Sequence, residues 1–144
     1  MNINQNYSPS FSAIKKPASM KVDRMHSIDQ VCDIVERTKE YLQASGRKID
    51  IYFLQPTRKN EIMKVAYYDN DMGSFVRDAR NRILVTSTRS VNENKPFDSY
   101  NFTERICSTL YKIIHGQFKA PYWYYDPFKY QAEYEKICKA NDIV

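Results

Sequence analysis

Apolar residues across 27–46, SIDQVCDIVERTKEYLQASG, recur every three or four positions. Ile28, Val31, Ile34, Val35, Tyr41 and Leu42 fall on one side of a helical wheel, with Thr38 between them. Ser27 with Gln30 three residues on forms a capping box, and Gly46 supplies the left-handed residue that commonly ends a helix. The period then drops to two. RKIDIYFLQ sets Ile49, Ile51 and Phe53 against Asp50, Tyr52 and Leu54, which predicts a strand. PTRKN at 56–60 is a turn, and EIMKVAYYD at 61–69 resumes as an antiparallel partner. DNDMGSFVRDARN reads as a connecting loop with Gly73 free to take a positive φ. RILVTSTRS at 82–90 then reads as a third strand, with Ile83 and Val85 on one face. Short links favour antiparallel neighbours, so the expected sheet is a three-stranded meander.

Helical spacing returns in NFTERICSTLYKIIHG, where Ile106, Leu110, Ile113 and Ile114 make a stripe between a cap at Asn101 and a stop at Gly116. A third helix opens with Asp126 as cap and Pro127 at the first position, where its missing N–H is not needed. Tyr130, Tyr134, Ile137 and Cys138 form its apolar side. The opening 1–26 is rich in Asn, Ser and Pro without a period. It is expected to be a disordered or extended tail, with room for a short strand at 11–14. The prediction is an α+β fold in which 27–144 form a single domain: helix, three-stranded antiparallel sheet, then two C-terminal helices.

The chain has 144 residues, 42% of them hydrophobic, which suffices for one buried core. Its net charge of +5 is concentrated in the tail, where Lys15, Lys16, Lys21 and Arg24 face Asp23 alone. The remainder is near neutral, so global charge is a weak argument for a nucleic-acid partner. Cys32, Cys107 and Cys138 are an odd, widely spaced set, which fits reduced thiols in the cytoplasm better than a disulfide framework. The chain has no apolar run long enough to insert in a membrane, and no conventional signal peptide is expected from its first residues. The Asn- and Ser-rich start is also similar to unstructured leaders read by non-classical bacterial secretion machinery.

The segment NYSPSFSAIKK, with Asn6, Pro9, Phe11 and Ala13, resembles the N-x-x-P-x-F-x-A/G opening of many uncharacterised proteins from gut-dwelling bacteria. The resemblance covers roughly the ten residues of that motif and implies a bacterial source; it brings no activity with it.

Several chemistries lack their residue sets. Cys107 and His115 stand eight residues apart on one helix, about 12 Å along its axis, too far for a nucleophile and its base. Two lone histidines and scattered cysteines do not supply a metal site, and no cofactor is expected. DNDMGS starts like a calcium loop but has Ser74 and Arg80 where glycine and glutamate are required, so it reads as a polar turn. No phosphate-cradling glycine motif is present. Catalysis stays open, since catalytic groups also converge from distant positions.

Two stretches carry the binding expectations. APYWYYDPFKY at 120–130 concentrates Tyr122, Trp123, Tyr124, Tyr125, Phe128 and Tyr130, more rings than a joint between helices needs. Trp123 and Phe128 are expected to face inward, with some of Tyr122, Tyr124 and Tyr125 exposed as a contact patch for a protein partner. The resulting reading is a non-enzymatic protein-interaction module. The alternative is an RNA-binding or RNA-cleaving protein acting through Arg77, Arg80, Arg82 and Arg89 beside Tyr67 and Tyr68. The same arginines would otherwise serve as a charged edge that resists self-pairing.

Overall fold

The structure is a computed structural model and describes residues 14–36, 46, 48–88, 94–118 and 126–143. Its elements run β1 (Ile14–Lys15), α1 (Val22–Glu36), β2 (Ile49–Leu54), β3 (Lys64–Asp69), β4 (Ser74–Phe75), β5 (Val85–Ser87), α2 (Ser99–Ile114) and α3 (Pro127–Ala140). The α+β class, the central strands and the two C-terminal helices are as the pattern predicts. The sheet differs: it is mixed and has five strands rather than three.

β2 and β3 form the centre, antiparallel, with Ile51 opposite Tyr67 and Phe53 opposite Val65. β1 lies parallel to the free edge of β2, with Ile14 opposite Ile51. This strand, together with a helix that begins at Val22, means that 14–26 are ordered parts of the fold rather than tail; 1–13 lie outside the described residues. The other edge of β3 is shared end to end by β4, opposite Tyr68 and Asp69, and β5, opposite 64–66. The expected loop 69–81 therefore contains a strand. β4 has only two residues, too few to display a period.

α1 starts five residues upstream of the Ser27 capping box, with the Lys21 carbonyl accepting the N–H of Met25 at 3.0 Å. Met25 in the added turn, and Met20 just before the helix, pack partly buried against the core. That burial outweighs a local cap worth about 1 kcal/mol. α2 likewise begins earlier: Asp98, not Asn101, is the cap, and its carboxylate accepts the Asn101 N–H at 3.1 Å. α3 follows the sequence closely, with Asp126 accepting from the N–H groups of Phe128 and Lys129 and Pro127 in the first turn. Gly46 and Gly116 both sit at φ 74, the left-handed region that favours glycine.

The layers are α1 and α2, the sheet, then α3. On one face Ile49, Ile51, Phe53, Met63, Val65 and Tyr67 meet Ile28, Val31 and Val35 of α1 and Phe102, Ile106, Leu110 and Ile113 of α2. On the other, Tyr52, Leu54, Ala66 and Phe75 meet Tyr134, Ile137 and Cys138 of α3. Every residue of β2 is buried, so its alternation separates two interior faces, not core from solvent. The far end of α3 is tied back to the sheet. Asn141 Oδ1 accepts the Gln55 N–H at 2.8 Å, and the Asp142 carbonyl accepts the Ala18 N–H at 2.7 Å.

Candidate binding surfaces

The arginine segment folds as a small hairpin rising from the sheet. Val76 accepts from Leu84 N–H, Arg77 bridges Ile83, and Asp78 N–H donates to the Arg82 carbonyl at 2.7 Å. Asn81 takes φ 62, the left-handed position of a three-residue hairpin loop that Asn tolerates better than most side chains. Asp78 Oδ1 accepts the N–H groups of Arg80 and Arg82, which holds its carboxyl below the usual carboxylate range. The three candidate arginines do not share a surface. Arg77 is 7% exposed, and its guanidinium donates from Nη2 to both Glu133 oxygens at 2.5 and 2.6 Å and from Nη1 to the Asn81 carbonyl. It also lies 5.1 Å from the Tyr130 ring centroid. Arg77 thus fastens α3 to the hairpin, while Arg80 and Arg82 remain outside, Arg82 paired with Asp78. Arg89 lies outside the described residues.

Tyr122, Trp123, Tyr124 and Tyr125 also lie outside the described residues. Tyr130 is buried beneath Arg77, but Phe128 is 86% exposed, contrary to the inward placement expected for it. The reason is rotational: Tyr130, Tyr134, Ile137 and Cys138 take the sheet-facing side of α3, which turns Phe128 and Lys129 to solvent.

The nucleophile candidates are separated. Cys32 is buried, and loss of hydration pushes its thiol up to about 11. Burial raises Cys138 too, and Cys107 is half-buried on α2. His115 stacks on Tyr111 at 4.0 Å and donates its Nδ1 proton to the Tyr111 carbonyl at 2.8 Å. Among the described residues no cluster of His, Cys, Asp and Glu could hold a metal ion, and no helix is long and apolar enough to cross a membrane. The aspartate at the start of DNDMGS closes its own turn, accepting the N–H groups of Asp71 and Met72.

One polar cleft escaped the sequence reading. The β2–β3 turn, the end of β5 and α2 border a half-open cleft of about 350 Å³ lined by Arg58, Lys59, Asn60, Glu61, Ser87, Thr88 and Arg105. PTRKN shows its two cations plainly, but nothing local brings Arg105, more than forty residues away, beside them. A comparison with protein-family models, curated proteins and solved structures found no match to this chain.

Proposed function

We propose that the protein is a non-enzymatic interaction module that holds a protein partner through the aromatic segment leading into α3. The observation that carries this reading is Phe128, a large ring 86% exposed on the first turn of a helix. That turn is rigid, because Asp126 accepts two of its N–H groups and Pro127 has a preset φ. A ring held in solvent on a fixed support loses little entropy when a partner covers it. Phe128 is also next in line to Tyr122, Trp123, Tyr124 and Tyr125, residue types that dominate interface energetics. In this reading the chain works in the cytoplasm of a bacterium. The Asn- and Ser-rich start, residues 1–26, is proposed as a non-classical export leader, although Ile14–Lys15 within it pairs with the sheet.

The RNA reading loses support from the same geometry, because Arg77 is consumed by Glu133 and Tyr130. The test is the affinity of a co-purifying partner for wild type, for Phe128→Ser and for the triple variant Trp123→Ala, Tyr124→Ala, Tyr125→Ala. Phe128→Ser should weaken binding about tenfold or more, as hot-spot truncations do, with an unchanged melting temperature. Unchanged affinity in both variants refutes the proposal.

A further inference from the structure

We infer that the cleft between the β2–β3 turn, β5 and α2 binds a small ligand carrying a phosphate group. Its lining is almost wholly made of donors: the Arg58, Lys59 and Arg105 cations, the Asn60 amide, and the Ser87 and Thr88 hydroxyls. Among the described residues no carboxylate pairs with Arg58, Lys59 or Arg105. The single acid among the described lining residues, Glu61, is buried and turned to its own loop, where Oε1 accepts the Thr57 N–H at 3.0 Å. Glu61 N–H donates in turn to the Arg58 carbonyl, and Lys64 Nζ donates to Thr57 Oγ1. Glu61 therefore braces the turn that carries Arg58 and Lys59.

The floor of the cleft supplies a second, independent sign. Thr88 is 7% exposed, its N–H donates to the Met63 carbonyl at 3.1 Å, and its Oγ1 accepts the Ile62 N–H at 2.8 Å. A hydroxyl that accepts still has one proton to give. No described acceptor takes the Thr88 proton, which an anion in the cleft would receive. Arg105 is supported from behind by the Phe102 ring, 5.8 Å from its guanidinium carbon, so its fork is partly pre-oriented on a rigid helix.

Phosphate esters fit this set better than other anions of the cell. Planar guanidinium donors and hydroxyls converge well on a tetrahedral, multiply charged group. The volume suits a small molecule. Among the described residues no aromatic ring lines the cleft, and Phe102 is itself covered, so none of them offers a platform on which bases of a nucleic acid could stack. This site is separate from the Phe128 surface, and neither proposal depends on the other.

The test is an amide-resolved NMR titration of the full chain with glycerol 3-phosphate, with glycerol, and with sodium chloride at matched ionic strength. Saturable shifts at Asn60, Ser87, Thr88 and Arg105, seen with the phosphate ester alone, are expected. Arg105→Gln should weaken that binding at least tenfold and Arg105→Lys less. The exposed double variant Arg58→Gln, Lys59→Gln tests the same site without touching the packed ring. Shifts that match sodium chloride, or affinity unchanged in both neutralising variants, would overturn the proposal. So would a ten-residue oligothymidine that binds the same amides more tightly than the monoester.

Discussion

Above the sheet, α1 and α2 press Ile, Val, Leu and Phe side chains against Ile51, Phe53 and Val65, with Tyr67 as the chief polar intruder. Below it, α3 is the only described helix over a knot of rings: Tyr52, Tyr68 and Phe75 of the sheet surround Tyr134, with centroids 4.8 to 6.0 Å from it. The difference follows from coverage. Two helices exclude water from a whole face, so aliphatic residues that only need burial serve there. Under one helix Tyr68 and Tyr134 are only half-buried, and tyrosine supplies a broad apolar ring with a polar end that tolerates such a boundary. Tyr52 and Tyr134 join hydroxyls at 2.8 Å, and Arg77 clamps Glu133 at the margin. One face is held mainly by exclusion of water, the other by rings plus directed polar bonds.

The largest expected effect lies on the aliphatic face. Phe53→Ala should cost about 3–5 kcal/mol in urea unfolding, since a fully buried ring leaves a cavity that two packed helices cannot easily fill. A loss no larger than that at an exposed position would mean that this face is not the main core. On the ring face, Glu133→Ala should cost about 2–3 kcal/mol by stranding the Arg77 guanidinium, whose Nε already lacks a partner among the described residues. Joint replacement Arg77→Met with Glu133→Leu should recover most of that loss, because the buried charge disappears with its partner. If the double variant is as unstable as the single one, the pair is not isolated in the way described.

Tyr134→Phe should be milder, about 1 kcal/mol, because it removes one hydroxyl pair while leaving the ring contacts intact. The smallest effect is alkaline and reads both faces. Burial raises the Cys32 thiol from its usual 9.0 to about 11, so the unfolded chain loses this proton first and stability falls as pH rises from 9 towards 11. Burial also raises the phenols of Tyr52, Tyr67 and Tyr134, which adds a fall of the same sign above pH 10. Between pH 8 and 9.5 the Cys32 contribution should stay below about 1 kcal/mol. Thermal melts of wild type and Cys32→Ser would measure it; equal losses in both would take the thiol out of the account.

Much of this fold was legible locally. Asp126–Pro127 announced α3, Gly116 announced the end of α2, and alternation announced β2, because each signal involves residues within one turn or one strand of each other. The misreadings at Ser27 and Asn101 share a cause: several residues in each region can cap a helix, and the local pattern does not say which of them the folded chain uses. Phe128 was misplaced because density of rings says how much can be buried, not which rotation of α3 buries it. The cleft was illegible for a different reason, since Arg58 and Lys59 acquire meaning only when Arg105 arrives on another element.

Periodicity and caps by themselves determined that this chain makes three amphipathic helices and a β2–β3 pair, through bonds and burial within neighbouring residues. Only the tertiary structure decided that both faces of β2 are interior, that Arg77 turns inward to Glu133, and that β1 and β4 join the sheet. Those outcomes depend on which surfaces meet across long stretches of chain, and the free energy of such meetings belongs to pairs of elements rather than to either sequence segment alone.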